Sequence, residues 1–332
     1  MSVGMTLLSN ALWTRSRKAD LQIGNAAGAG SPSAKVKDGV GGIVVLGNRG
    51  VGGCVVEMDM DSPAAAGRAL TANARPAALI TGASSGIGAA LAHVFAQNGH
   101  EVVLTARRAP QMANVASNIR AAGHRAHTIS CDLSRPDSSE CIAREMAALN
   151  LEPSYIVNNA GYGLLGPAAT LDRGDQLAMI DLNCRTLTEL SLRFIPSLAR
   201  HRGGILNVAS ISGFIPGPGM SVYNASKAFV ISFSIGLRRE LQPKGIRVTA
   251  LCPGPVPTEF QARAGITDVH YPRGFDRPAE DVAREGYKGL MRNRAVVVPG
   301  LHNKLVPWLP RFLPRNILAS LVYGQLRRWE DA

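Results

Sequence analysis

Tyr223 and Lys227 lie four residues apart, so a helix running through them places both side chains on one face. A phenol beside an ammonium ionises more readily, because a nearby positive charge favours the phenolate. That pairing makes Tyr223 a usable proton donor or acceptor near neutral pH. Ser210 stands 13 residues before Tyr223, at the end of a mostly apolar run, Ile205 to Val208, that reads as a buried strand. From there its hydroxyl could hold a substrate oxygen beside the phenol. The chemistry of this set is proton transfer at an oxygen.

A second set lies far upstream. Ala77 to Thr81 reads as a short apolar strand, Gly82-Ala-Ser84-Ser85-Gly86-Ile87-Gly88 follows, and Ala89 to Asn98 has helical apolar spacing that Gly99 closes as a C′ residue. Strand, glycine turn and helix is the context of a dinucleotide loop, where a pyrophosphate approaches the backbone at a helix N-terminus. The next strand, from Glu101 to Thr105, ends in Ala106-Arg107-Arg108. An acid there would read the ribose 2′-hydroxyl of NAD, but two arginines suit a 2′-phosphate. NADP(H) is therefore the preferred cofactor, with NAD(H) second.

Together these stretches resemble the short-chain dehydrogenase/reductase family. The resemblance rests on Gly82-x-x-x-Gly86-x-Gly88, Ser210, Tyr223 and Lys227, and covers about residues 76–300. Further motifs match in order. Asp132-Leu133 ends the third strand where the family flanks the adenine, although Asp132 could equally cap the helix starting near Pro136. Asn158-Asn159-Ala160-Gly161 matches the turn that steadies the sheet and lines the cofactor channel. Leu171 to Arg200 reads as a long helix broken near Asn183, and Asn183 matches the family asparagine that holds a water feeding a proton chain through the lysine. Pro253-Gly254-Pro-Val256-Pro-Thr258 resembles the turn whose valine backbone and threonine hydroxyl contact the nicotinamide carboxamide. The resemblance implies a catalytic tetrad of Asn183, Ser210, Tyr223 and Lys227. In it Tyr223 is the general acid/base, Ser210 holds the oxyanion, and Lys227 tunes the tyrosine and holds the nicotinamide ribose. It implies an oxidoreductase that interconverts a carbonyl and an alcohol by hydride transfer. The implied fold is a Rossmann-like, doubly wound α/β domain with a parallel sheet of about seven strands.

Composition bounds the rest. With 332 residues, 46% of them hydrophobic, the chain can bury a large core, and no run of about 18 apolar residues predicts a spanning helix. Five cysteines without a Cys-x-x-Cys pair argue against a disulfide framework or a zinc site and fit a reducing, cytoplasmic setting. No metal is expected. The net charge of +12 fits a basic surface with sites for an anionic cofactor, and no nucleic-acid motif accompanies it. Residues 1–75 are rich in Gly, Ala and Ser and read as a disordered extension to the single domain. Lower-ranked readings are a transit peptide, or a start at Met58 or Met60. The Gly47–Gly53 cluster is followed by a strand-like run instead of a helix, which argues against a phosphate loop.

Residues 259–279 form the expected substrate lid, where Phe260, His270, Tyr271 and Phe275 could make an apolar wall for a small apolar carbonyl or alcohol. Residues 301–332 are apolar, aromatic and basic, and are broken by Pro307, Pro310 and Pro314. Packing on the substrate side of its own or a neighbouring subunit is the first reading of this tail, and peripheral attachment to anionic membrane the second. The family resemblance also implies a homo-oligomer. Two further functions compete: a catalytically idle NADP(H) sensor or scaffold, and an isomerase, epimerase or dehydratase on the same frame. The intact tetrad argues against the first, and the lack of an added acid or base in the lid against the second.

Overall fold

The computed structural model describes residues 74–266 and 276–330, with side chains to residue 324. The glycine cluster at 47–53 and the lid residues His270, Tyr271 and Phe275 lie outside the described residues.

Seven parallel strands form one sheet: β1 (Arg75–Thr81), β2 (Glu101–Ala106), β3 (Ala126–Ser130), β4 (Leu151–Asn158), β5 (Gly204–Val208), β6 (Arg247–Leu251) and β7 (Val296–Val297). Their order is β3-β2-β1-β4-β5-β6-β7, so the winding reverses between β1 and β4. Such a reversal leaves a crevice at the carboxyl ends of the central strands, where ligands of doubly wound sheets bind. The helices are α1 (Gly86–Gln97), α2 (Ala109–Ala121), α3 (Ser138–Ala148), α4 (Arg173–Ile180), α5 (Leu187–Arg193), α6 (Ile195–Arg200), α7 (Ser221–Leu241), α8 (Glu259–Ala264), α9 (Ala279–Met291), α10 (Leu309–Phe312) and α11 (Arg315–Glu330).

The strands are near-continuous apolar runs because both faces of a parallel sheet are covered. Side chains alternate between the faces. On one face Ala78, Ile80, Val102, Leu104 and Val157 pack with Leu91, Val94 and Phe95 of α1, Met112 and Ile119 of α2, and Val282 and Leu290 of α9. On the other, Ala77, Leu79, Val103, Ile156 and Ile205 pack with Ile142 and Met146 of α3, Leu190 of α5, Leu198 of α6, and Leu237 and Leu241 of α7.

Three boundaries differ from the sequence reading. Strand β1 begins at Arg75, which ion-pairs with Glu101 at 3.1 Å. Strand β4 begins at Leu151 although Pro153 lies within it. A proline lacks the ladder donor, and strands tolerate it at irregular positions. Here the register against β1 shifts between Ala77 and Ala78, with Ala77 opposite Pro153 and Ala78 opposite Tyr155. The broken helix after Leu171 is α4, a π-turn (Asp181–Thr186), α5 and α6.

The tail starts as a 3₁₀ segment (His302–Trp308). Asn303 is fully buried, donates to the carbonyl of Pro299 at 3.0 Å, and fills the space a side chain at Gly254 would occupy. The tail is thereby seated against the Pro253-Gly254 turn. Beyond that anchor most of its large apolar side chains are exposed.

Candidate active site

Strands β1 to β6 each lead from the carboxyl end into one part of the candidate site, and the π-turn and α7 supply the rest. After β1, Gly82 and Gly86 adopt φ of +64° and +56°, left-handed values that favour glycine. Gly88 has a different constraint: a Cβ there would sit 2.3 Å from the Gly82 carbonyl oxygen and 2.4 Å from Asn159 Nδ2. The turn therefore closes tightly on itself and opens backbone toward the start of α1. The loop is pinned from β4, since Asn159 Nδ2 donates to the carbonyls of Thr81 at 2.9 Å and Gly82 at 3.2 Å. The Thr81 hydroxyl accepts from the backbone N–H of Asn159 and Ala160 at 2.9 and 3.0 Å.

After β2, Arg108 bends over this loop. Its Nη2 donates to the hydroxyls of Ser84 at 2.9 Å and Ser85 at 2.8 Å, while Nη1 meets Glu259 Oε2 at 2.9 Å. Ser85 also donates to Glu259, at 3.1 Å. Arg107 is exposed, and its charge bears on Asp132 and on Tyr162. After β3, burial pushes the Asp132 carboxyl up, but hydrogen bonds from the Ser134 backbone and hydroxyl, together with Arg107, hold it below its ordinary value. Asp132 thus caps the Ser134 turn, while the Leu133 side chain is buried among Ile129, Cys131 and Ile142. Asn158 serves the sheet, donating to Ser191 and to Asn207 at 2.9 Å each.

Asn183 sits on the π-turn, wholly buried. π-turns inside helices recur at functional sites. This one aims the amide across at the β4 loop and α7. Asn183 Nδ2 donates to the Tyr162 carbonyl and to the Ser226 hydroxyl at 3.0 Å each, and Oδ1 accepts from the Tyr162 N–H at 3.2 Å. A Cβ on Gly161 would lie 2.7 Å from that Oδ1 and 3.5 Å from Lys227 Nζ, so the amide and the ammonium border the same small space.

Ser210 follows β5 and caps a 3₁₀ turn (Ile211–Phe214), its Oγ accepting from the Ser212 N–H at 3.1 Å. Tyr223 and Lys227 share a face of α7, with Nζ 5.8 Å from the phenol ring centroid. Lys227 is only 6% exposed and donates to the Val208 carbonyl at 2.9 Å. Burial pulls its ammonium down to about 8, and the other groups that bear on it are the Cys184 and Cys252 thiols. Burial raises both thiols, Cys252 to about 12, so neither supplies a thiolate at neutral pH.

After β6, Thr258 caps α8. Its Oγ1 accepts from Phe260 N–H at 3.3 Å, Gln261 Oε1 accepts from Thr258 N–H at 3.0 Å, and the Thr258 methyl lies 3.0 Å from where a Gly86 Cβ would be. Val256 is buried and its carbonyl accepts from Gln261 at 2.7 Å. Phe260 then reaches the Tyr223 ring, centroids 5.5 Å apart. Gly163 leaves room beside both, because a Cβ there would lie 3.0–3.1 Å from Phe260, Met220 and Tyr223. The wall next to the phenol is therefore apolar.

Asn183 meets α7 at Ser226 and borders Lys227 across Gly161, Tyr223 stands one turn before Lys227, and Ser210 and the glycine loop follow the carboxyl ends of β5 and β1. The sequence reading did not find Glu259, Tyr162, Ser226 or Asn303. Ser226 lay within Tyr-Asn-Ala-Ser-Lys and was the most readable of them. Glycines that a Cβ would crowd, serines under an arginine and a carboxylate-free lysine pocket fit an anionic dinucleotide. Among the described residues no cluster of His, Cys, Asp or Glu could hold a metal.

Residues 76–268 match the family model described as short chain dehydrogenase. Sulfoacetaldehyde reductase 2 of Chromohalobacter salexigens is 37% identical over 213 residues, 62% of this chain and 84% of that protein. A short-chain dehydrogenase from Sphingobium yanoikuyae in complex with NADPH has a TM-score of 0.63 at 36% identity, over 69% of this chain and 90% of its own. The bulky-bulky ketone specific alcohol dehydrogenase from Comamonas testosteroni reaches 0.60 at 32% identity, over 69% and 88%.

Proposed function

The chain belongs to the short-chain dehydrogenase/reductase family and is an oxidoreductase of the CH–OH/C=O class, and from that premise we propose that it interconverts an apolar carbonyl and its alcohol with NADP(H), using Tyr223 as general acid/base. The observation that carries this reading is the buried Lys227 ammonium on the same helical face as Tyr223. In a poorly solvated site that charge favours the phenolate over the phenol, which is what a proton-transferring tyrosine needs.

When bound, NADPH supplies the hydride for the carbonyl carbon. In the reductive direction Tyr223 gives a proton to the developing alkoxide. The Ser210 hydroxyl, whose oxygen accepts from Ser212, keeps its own proton for the same alkoxide, an oxyanion-type contact. Lys227 holds the phenolate that remains. Asn183 fixes the Tyr162 loop and α7 around the lysine, which is where a water returning the proton would sit.

Gly82, Ser84, Ser85, Gly86, Ile87 and Gly88 would hold the pyrophosphate end of the cofactor. Arg107, Arg108, Asp132 and Leu133 would surround its adenosine half. Asn159, Ala160, Gly161, Pro253, Gly254, Val256 and Thr258 would line the nicotinamide side. The choice of NADP over NAD is supported by Arg108 standing over Ser84 and Ser85, a set of donors suited to a phosphate. It is supported also by the NADPH in the Sphingobium structure. An apolar substrate is supported by Phe260 and Met220 beside Tyr223, and by the bulky-ketone specificity in the name of the Comamonas enzyme. Exposed Leu177 and Ile180 on α4, Leu192 on α5, and Phe229 and Ile235 on α7 support a homo-oligomer formed through these helices. Free thiols at Cys131, Cys141, Cys184 and Cys252 support a reducing compartment such as the cytoplasm.

The test is NADPH oxidation against ketones, aldehydes, quinones and 3-oxoacyl thioesters, with Tyr223→Phe alongside. The variant should lose roughly 10²- to 10⁴-fold in turnover and bind NADPH nearly as the parent does. Near-normal carbonyl reduction by the variant would sink the mechanism.

A further inference from the structure

Eight of the fourteen large apolar side chains that the described residues leave exposed fall between residues 301 and 323. Leu301 and Phe312 are each 78% exposed, and Leu305, Trp308, Ile317 and Leu321 are also open. They follow local helical geometry. Leu305 and Trp308 are three apart on the 3₁₀ segment, where such residues eclipse, and Ile317 and Leu321 are four apart on one face of α11. Exposed apolar groups gathered on one segment in this way mark an interaction surface.

Charge identifies the occupant. The sequence has no Asp or Glu from residue 286 to residue 329, whereas that stretch carries Lys288, Arg292, Arg294, Lys304, Arg311, Arg315, Arg327 and Arg328. Lys304, Arg311 and Arg315 form no ion pair among the described residues. The Arg311 guanidinium lies over the Trp308 ring, 4.5 Å from its centroid, so a cation and an apolar body share one exposed spot. A second copy of the chain is a poor fit, because a two-fold contact lays the same patch on itself and would set these cations against each other. The interior of a protein partner would have to bury them too. An anionic phospholipid surface takes both features, since apolar groups enter at the acyl boundary while basic groups stay among the headgroups. No described helix is long and apolar enough to cross a membrane, so the tail lies on the bilayer instead of spanning it.

We propose that residues 301–324 form an interfacial docking surface for anionic phospholipid. The anchor at Asn303 then brings the Pro253-Gly254 side of the active site next to the bilayer. This reading is independent of the cofactor and of the reaction.

The test is sedimentation of the full chain with phosphatidylcholine vesicles, with and without phosphatidylglycerol. Binding should require the anionic lipid and fall with added salt. Arg311→Glu with Arg315→Glu should weaken it about tenfold or more, because each basic residue near such a surface strengthens binding several-fold. Trp308→Ser with Phe312→Ser should abolish it. Unchanged NADPH binding by both variants shows that they are folded. Failure of the parent to sediment with anionic vesicles, or equal sedimentation of the Trp308/Phe312 variant, overturns the proposal. So does a drop in oligomer size in that variant with vesicle binding unaltered, which would assign the patch to a second copy.

Discussion

Arg108 already holds two hydroxyls and a carboxylate, and a 2′-phosphate would take over part of that network. Replacing Arg107 and Arg108 together by Ala should weaken NADPH by roughly tenfold to a hundredfold, the range for one or two charged hydrogen bonds, with much less effect on NADH. Fluorescence titration with both cofactors measures it, and equal losses would show that the arginines do not read the phosphate. The same guanidinium marks the limit of sequence reading at this scale. Its position after β2 was legible because strand, glycine turn and helix fix what lies beside that strand end. Its partner was not legible: Glu259 meets Ser85 across 174 positions, and no local pattern records a contact of that range. Ser210, Tyr223 and Lys227 were readable for the opposite reason, since the helix and the short loop between them are local.

The π-turn on the way into α5 shows how an element can be built for one side chain. A regular helix would carry Asn183 past the Tyr162 loop, whereas the wider turn lets its amide meet both Tyr162 backbone groups and Ser226. Asn183→Ala removes two part-buried hydrogen bonds to the Tyr162 backbone and one to the buried Ser226 hydroxyl, a net cost of about 1–3 kcal/mol. Urea unfolding should show a loss of that order. Turnover should fall further than stability explains, because the lysine loses the wall that positions it. A variant with lower stability but normal turnover would reduce Asn183 to packing. The sequence announced a break here, but not its kind, because a π-turn has no apolar period of its own. Helix α8 was missed for a related reason: six residues complete fewer than two turns and show no period, although Thr258-x-x-Gln261 carried its cap.

At the scale of the molecule, the two edges of the sheet divide the labour. The carboxyl edge holds every group assigned to chemistry. The amino edge is stitched by two buried carboxylates: Glu101 with Arg75 and His127, and Glu152 with Arg200 and His201. Burial raises both carboxyls, and these partners more than offset it, so both lie below their ordinary value when folded. The unfolded chain therefore takes up protons first as the solution is acidified. The stabilisation is complete above the unfolded value of about 4.3 and is lost as pH falls through the folded one. Glu152→Gln should flatten the loss of unfolding free energy as pH falls from about 5 through the folded value, and an unchanged slope there would show that Glu152 does not set it. A chain beginning at Ala74 retains all seven strands and the Arg75–Glu101 pair, so it should unfold cooperatively and keep the parent kcat/KM. An insoluble or inactive product would place the domain boundary earlier. Since β5 and β6 run from one edge to the other in five residues each, the two kinds of duty sit at opposite ends of the same short segments. A random variant library screened separately for heat survival and for turnover should split along that axis, with few substitutions failing both screens and those few lying at mid-strand.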